Sequence, residues 1–407
     1  MYKVKFITVL SLCILFALNG FAQYPEKVLT LDASIRQALN INHDILINKQ
    51  SVLFAEQRIK KAQKFYYPAV DLNINVSKFS NDMPTLINSE SMRNVTYLPE
   101  GAQDLYYSTR LSLWQTIYNG GKTSATNELA KISLSQVKNK SDIKVNEVIA
   151  NVKINFYKLI TLQEKIKLYK QTIDILSKNQ KSNTDTENLK TKLEITDYEY
   201  QGQVLDFLNL IGLGLDTIVE LSGTLDMPNL DLDLKLDQCI LWAYQFRPEM
   251  KNTQYQETID GIEVNLLTME KYPTIMLGAA YDWMDGDARN VEKNWYIALN
   301  LSLPIFDGGS LFAKIKEKKI QARQATLERS KEEEQIKLQV RKAYNKYIFW
   351  FGKASKINNA EKQKDPVKEL ENKIYKMDIM YNYLKSLCEL ELSIGKQISD
   401  LNLKLAE

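Results

Sequence analysis

The sequence predicts an α+β membrane protein in which long antiparallel helices form a bundle and short strands supply part of a transmembrane β-barrel. Three observations carry this. The chain is written twice; four short segments alternate strictly between apolar and polar residues, with aromatics at both ends; and two very long amphipathic tracts run with almost no proline or glycine.

At 407 residues the chain is long enough for two or three ordinary domains, and its 44% apolar content suits a folded protein. The 53 basic and 50 acidic residues leave a net charge of +3, too balanced to point to nucleic acid. One histidine, His43, and three cysteines argue against a His/Cys metal site or a histidine-centred catalytic group. An exported enzyme would need a clustered nucleophile and base or a ligand set, and none is written here, so neither an enzyme nor a cofactor is expected.

At the N-terminus Lys3 and Lys5 precede an apolar run, Phe6 to Leu18, followed by the small residues Gly20 and Ala22. This pattern predicts an export leader over 1–22, cleaved after Ala22, with a run too short to remain as an anchor. Cys13 lies inside that run, away from any mature end. The spacing of Cys239 and Cys388 leaves their pairing open. No later stretch is long and uncharged enough for a transmembrane helix, so an exported chain residing in a membrane must cross it as strands.

The duplication is visible at constant offsets. "LDASIRQALNINHDI" (Leu31 to Ile45) aligns with "LDQCILWAYQFRPEM" (Leu236 to Met250), which sets Asp44 opposite Glu249. The same offset lays "YYPAV" (Tyr66 to Val70) on "KYPTI" (Lys271 to Ile275), and further on "LSLWQTIYNGG" (Leu111 to Gly121) pairs with "LNLSLPIFDGG" (Leu299 to Gly309). One supersecondary unit used twice accounts for this: a first repeat over 23–221, a strap over 222–235, and a second repeat over 236–407. Each repeat reads as a helical segment (Leu31 to Lys64, Leu236 to Glu270), two strands, a very long helix and a return helix.

The strands are expected near 69–79, 105–118, 274–283 and 295–306. In "VDLNINV" the apolar Val70, Leu72, Ile74 and Val76 alternate with Asp71, Asn73 and Asn75; "WYIALNLSL" repeats this with Trp295, Ile297, Leu299, Leu301 and Leu303. Such period-2 patterning gives a strand one apolar and one wet face. Pro68 and Pro273 mark the helix–strand junctions. Aromatics bracket every strand: Tyr66, Tyr67 and Phe79; Tyr106, Tyr107 and Tyr118; Tyr272 and Trp283; Trp295 and Phe306. Girdles at both interfaces belong to membrane barrels, whereas a soluble sandwich gives no reason for aromatics at both ends of each strand.

From Lys122 to about Lys192 no proline or glycine interrupts the tract, which would reach roughly 100 Å as one helix. Val145, Val148, Val152, Phe156 and Leu159 share one face, as do Ile336, Val340, Ala343, Tyr344 and Tyr347. A kink or loosening is expected at "KSNTDTEN" and at Pro366.

"IYNGGKTSA" carries the end of a phosphate-binding loop, but the position that must hold its first glycine is Thr116. The second copy, "PIFDGGS", keeps the glycines and drops the lysine. Gly120, Gly121, Gly308 and Gly309 therefore read as bends between strand and helix, with Asn119 and Asp307 as helix-starting residues and Pro304 just before the second bend. Four strands cannot close a barrel, and a bare strand edge is forbidden in lipid, so two, three or four copies must supply eight, twelve or sixteen strands.

This duplicated order, with "YYPAV"/"KYPTI" before a strand and "IYNGG"/"PIFDGG" after one, resembles the TolC family of outer-membrane efflux proteins over nearly the whole mature chain. The resemblance implies a homotrimer with a twelve-stranded barrel in outer-membrane lipid of a Gram-negative bacterium, continuing into a helical tunnel across the periplasm. It also implies a periplasmic adaptor and an inner-membrane transporter as partners, for efflux or type I secretion. "LEITDYE" (Leu193 to Glu199) resembles the family's tip turn, which puts Thr196 and Asp197 at the periplasmic entrance; the second copy would add Asp378, Asn382 and Lys385. The family's "NP" pair survives as Arg247-Pro248 but becomes Asn42-His43 in the first copy, making His43 a substituted turn residue. A periplasmic adaptor is the rival reading, but it would carry one hairpin, no duplication and no girdled strands.

Overall fold

The computed structural model describes residues 27–78, 86–88, 95–97, 105–178, 183–227, 234–285, 292–357 and 365–397. The expected leader, Phe79 and part of the strap lie outside them. The first half runs β1 (Lys27–Leu29), α1 (Leu31–Ile41), α2 (His43–Gln63), β2 (Ala69–Lys78), β3 (Leu86–Asn88), β4 (Val95–Tyr97), β5 (Leu105–Tyr118), α3 (Lys122–Lys178), α4 (Asn183–Ile211) and β6 (Val219–Leu221). The second half runs α5 (Leu236–Phe246), α6 (Pro248–Thr268), β7 (Thr274–Asp285), β8 (Glu292–Ser302), α7 (Ser310–Ala354) and α8 (Pro366–Ile394). No described helix is long and apolar enough to cross a membrane.

The chain divides into two compact units that cut across the two halves. One gathers the chain up to Gln50, Lys140–Met250 and everything from Glu332 on; the other holds Ser51–Asn139 and Lys251–Lys331. The first unit has two matching helix cores. Ala38 of α1, Val148, Val152 and Leu159 of α3, and Phe207 and Ile211 of α4 fill one, closed by Leu29 and Leu221 of the parallel β1–β6 pair. Ala243 of α5, Ile336, Val340 and Tyr347 of α7, and Tyr383, Leu390 and Ile394 of α8 fill the other. The i, i+4 spacing of Val148 with Val152, and of Ile336 with Val340, places each pair on the face that is buried.

The helical segments differ from the expected ones at their breaks. The first is two helices parted at Asn42, whose Oδ1 accepts from the N–H groups of Asp44 (3.0 Å) and Ile45 (3.3 Å) and whose Nδ2 donates to the Leu210 carbonyl (2.8 Å). An asparagine side chain here satisfies the orphan donors at the start of α2. In the second half Pro248 starts α6 instead, needing no N–H partner there. The long tract is also two helices: α3 has 57 residues, about 85 Å of rise, and α4 begins at Asn183. Pro366 does not kink a long helix. It occupies the first turn of α8, where Asp365 caps the Val367 N–H at 3.2 Å.

The second unit carries an antiparallel sheet in the order β2-β5-β7-β8. Helix segments follow the same order. Lys138 of α3 reaches Glu56 of α2 (4.0 Å), Gln136 of α3 donates to Gln256 of α6 (3.0 Å), and Arg329 of α7 pairs with Glu257 of α6 (2.8 Å). β8 ends at Ser302, short of the expected 306, because residues from Leu303 on have no neighbouring strand among the described residues.

Candidate functional site

Strand register sorts the sheet into two chemically opposite faces. Val70 lies beside Leu113, Leu72 beside Leu111, Ile275 beside Leu301 and Leu277 beside Leu299, and the alternation carries one apolar face across all four strands. That face is open: Ile74 is 69% exposed, Ile297, Leu299 and Leu301 each 68%. The other face holds Asp71, Asn73, Asn75, Ser108, Arg110, Ser112, Asp282, Asn294 and Asn300. The strands have 10 to 14 residues, against about 9–11 needed to cross hydrocarbon at a tilt.

At the centre of the polar face Arg110 and Asp282 are direct partners across β5 and β7. Arg110 Nε donates to Asp282 Oδ1 at 2.6 Å and Nη2 donates to Oδ2 at 3.0 Å, a two-pronged charged pair. Their side chains retain 15% and 7% of their accessible surface. Beside them Trp114 lies over Gly278, where a Cβ would clash with the indole. Sequence reading missed this pair. The available signal was an arginine and an aspartate at wet-face positions of two strands that the duplication made neighbours.

The aromatics fall at the strand ends. Tyr107, Trp283 and Trp295 lie toward the far end from the helices, Trp283 tilted against Tyr281 with ring centroids 4.4 Å apart, and Tyr281 is opposite Trp295. Tyr106 is the second residue of β5. Tyr66, Tyr67, Tyr118 and Tyr272 are at the helix end, all exposed, and Phe306 follows β8. Pro68 and Pro273 each link a single 3-10 turn to the strand that follows.

The two bends share one geometry. Gly120 and Gly121 have φ of 67° and 87°, Gly308 and Gly309 of 70° and 86°. In this left-handed region a side chain is strained, and at Gly120 a Cβ would also meet the Cβ of Tyr272 at 2.6 Å. Asn119 Oδ1 accepts from the Thr123 N–H (3.2 Å), while Asp307 accepts from the N–H groups of Gly309 (3.0 Å) and Leu311 (2.6 Å). Lys122 is the first residue of α3 and stands in no loop shaped for phosphate.

The residues expected at the entrance lie on two helices, Thr196 and Asp197 on α4 and Asp378, Asn382 and Lys385 on α8. The tip turn foreseen at Leu193–Glu199 is continuous α4, since no glycine or proline interrupts 183–201. Thr196 is buried and donates back to the Lys192 carbonyl (2.8 Å); Asp197 accepts from Gln201 (2.9 Å). On α8, Asn382 donates back to the Asp378 carbonyl (2.7 Å), Lys385 is half-buried, and the Asp378 carboxylate pairs with Lys165 of α3 at 2.5 Å. His43 is exposed at the first turn of α2, in a polar groove with Asn151, Asn155, Asp206 and Asn209. No group of His, Cys, Asp and Glu that would hold a metal occurs among the described residues, and Cys239 and Cys388 are free and buried.

Residues 34–184 match the family model described as outer membrane efflux protein. No curated protein matches by sequence. Among solved structures the fold is similar to that of a membrane protein from Pseudomonas aeruginosa, with a TM-score of 0.70 at 13% identity over 90% of this chain and 92% of that one. It is similar also to the Campylobacter jejuni CmeC outer membrane channel, with a TM-score of 0.64 at 16% identity over 92% and 88%. The open state of the Neisseria gonorrhoeae MtrE outer membrane channel gives 0.64 at 13% identity over 90% and 89%.

Proposed function

We propose that this chain, an outer-membrane efflux protein by family match and by fold, is one third of a homotrimeric exit duct. Its four strands would form a third of a twelve-stranded barrel in the outer membrane of a Gram-negative bacterium, and its helices part of a tunnel into the periplasm. A periplasmic adaptor and an inner-membrane transporter would complete the system, for efflux of small molecules or type I secretion of polypeptides.

One observation carries this reading: a four-stranded sheet with an exposed apolar face, a polar face and two unpaired edges. In lipid each bare edge group costs several kcal/mol, so the sheet is stable there only once other copies close it. The apolar face then meets hydrocarbon and the polar face lines water. Energy must come from the transporter, because the duct's half-motif at Gly121-Lys122-Thr123 offers no nucleotide cradle.

The glycine bends would turn barrel strand into tunnel helix, and the aromatics would mark the two interfaces. Thr196, Asp197, Asp378, Asn382 and Lys385 are proposed to face the periplasmic entrance, with Lys165–Asp378 tying α3 to α8 beside it. The test is direct. The protein should fractionate with outer membrane, run as an oligomer that collapses on boiling, and conduct ions in a planar bilayer. A folded monomer that stays in the soluble periplasmic fraction overturns the reading.

A further inference from the structure

The two halves differ in charge where a helix runs down to the sheet. From Gln57 to Val70 the chain carries Arg58, Lys60, Lys61 and Lys64 and no acidic residue. All four cations are exposed, and none is in an ion pair among the described residues. Arg58 and Lys64 lie instead over the rings of Phe54 and Phe65, each 4.8 Å from the ring centroid. The equivalent positions of the second half are Glu263, Asn265, Leu266 and Met269, and Glu263 is taken up by Lys318 of α7. One copy of this junction is therefore strongly cationic, and the other has no cation at the same places.

A cleft opens beside the cationic junction, lined by Phe65, Tyr66, Gln115, Ile117, Tyr118 and Thr123. Strand register locates it. Gln115 lies beside Leu277 and Tyr118 beside Ile275, so the cleft stands at the helix end of the apolar face. Its polar groups are fixed: Gln115 Nε2 donates to the carbonyls of Phe65 (3.4 Å) and Thr116 (2.9 Å), and Asn119 Nδ2 donates to Thr123 Oγ1 (2.7 Å). Its apolar walls are open, with Phe65 42% and Ile117 58% exposed. In the second half the counterparts of Gln115 and Thr123 are Leu303 and Leu311, so that bend has lost the polar lining along with the cations.

We infer that the first bend is a binding site for an anionic phospholipid of the leaflet facing the periplasm, such as phosphatidylglycerol. This rests on the proposed setting of the sheet in the outer membrane. If the apolar face meets hydrocarbon, the cleft lies at headgroup depth, where tyrosine rings settle and lysines hold anionic lipid. Lys60, Lys61 and Lys64 would meet the headgroup, while Phe65, Ile117 and Tyr118 would pack against the glycerol and the first methylenes. Unneutralised cations beside an open apolar wall suit a ligand that is anionic at one end and apolar at the other. A zwitterionic lipid brings the same tails, but its own cation offsets the attraction.

The test is native mass spectrometry of the full-length protein in detergent, with phosphatidylglycerol and phosphatidylcholine supplied in equal amounts. The parent should retain phosphatidylglycerol preferentially. Each lysine beside an anionic lipid surface is worth roughly fivefold in affinity, so Lys60→Gln, Lys61→Gln and Lys64→Gln together should weaken phosphatidylglycerol binding at least about tenfold and leave phosphatidylcholine unchanged. Lys314→Gln, Lys316→Gln and Lys319→Gln remove equal charge from the exposed start of α7 and should keep the preference. Equal retention of the two lipids, a first variant that binds like the parent, or a second variant that loses as much as the first overturns the site. Displacement of the lipid by excess inorganic phosphate also overturns it, because the cleft would then hold a bare anion. The same spectra count the chains: a trimer without the preference overturns the lipid site alone, and a monomer that keeps the lysine-dependent preference overturns the assembly alone.

Discussion

Replacing Asp282 by alanine removes one half of a charged pair that the strand register places between β5 and β7. Arg110 would keep its guanidinium at a site where its side chain is only 15% exposed, with the 2.6 Å and 3.0 Å partners gone. Breaking a buried pair by deleting one member costs about 3–5 kcal/mol, whereas replacing both members by apolar groups of similar volume is close to neutral. Asp282→Ala should thus be far more damaging than Arg110→Met combined with Asp282→Leu. The assay is urea unfolding of the purified protein in detergent. With a slope near 3 kcal/mol per M, a loss of about 3–5 kcal/mol lowers the midpoint by roughly 1–1.7 M. The double variant should stay within about 0.5 M of the parent on the same scale. A midpoint for Asp282→Ala indistinguishable from the parent, or a double variant as unstable as the single, would refute the pair as a staple between hairpins.

Three further outcomes are expected. Gly121→Val and Gly309→Val should each reduce oligomer yield, because a β-branched residue is strained at φ near +87°, while Lys122→Ala leaves yield and transport unchanged. Burial raises the Cys388 thiol from its ordinary 9.0 to about 12 and the Cys239 thiol to about 11. Neither should react with iodoacetamide at pH 8 until the protein unfolds, and the stability tied to these neutral thiols, full below pH 9, should fall as pH rises toward 11–12; rapid alkylation of the folded protein would contradict this. Asp378→Ala frees Lys165, and because that pair is partly exposed its loss should cost no more than about 1 kcal/mol. Single-channel conductance should rise without loss of oligomer; unchanged conductance removes Asp378 from the entrance.

What was legible in the sequence was whatever repeats at short period. Alternation in "VDLNINV" and "WYIALNLSL" is a local consequence of the pleat, so the strands and their apolar face could be read directly. The faces of α3 and α7 were legible for the same reason, with Val148 and Ile336 at matching places in two matching cores. Breaks were legible only in part. The loosening expected at "KSNTDTEN" falls where α3 and α4 part, and the apolar faces of the two helices pack on each other: Leu176 and Leu189 share one small core with Tyr169 and Leu370. Burial of an apolar face decides how such helices pack more than propensity does. "LEITDYE", free of glycine and proline, stays helical. Arg110 and Asp282 were hidden because they lie 172 residues apart and neither alone departs from its wet-face setting.

The break at Asn42 shows why the duplicated halves diverge where they do. Both breaks need the same backbone: Asn42 has φ −55° and ψ 126°, Arg247 has φ −66° and ψ 125°, and each N–H is held by the carbonyl of the alanine four residues back. The second half reaches this with Pro248, whose ring disfavours helical geometry at Arg247 and needs no donor partner in the first turn. Proline removes only the donor that His43 keeps. Of the N–H groups that follow, the Asn42 carboxamide oxygen accepts from both Asp44 and Ile45, while in the second half the Met250 N–H reaches the Arg247 carbonyl at 3.3 Å. Backbone geometry is thus common to the two copies while the side-chain solution is not. The open edges follow the opposite rule. There the backbone positions are equivalent but their surroundings differ within one chain, and polar Asn139 gives way to Leu327. A leucine exposed on a helix of a single chain stabilises nothing until something covers it. The halves thus diverge both at their internal breaks and at the open edges, in the first case over one backbone geometry and in the second over one set of equivalent positions with different surroundings.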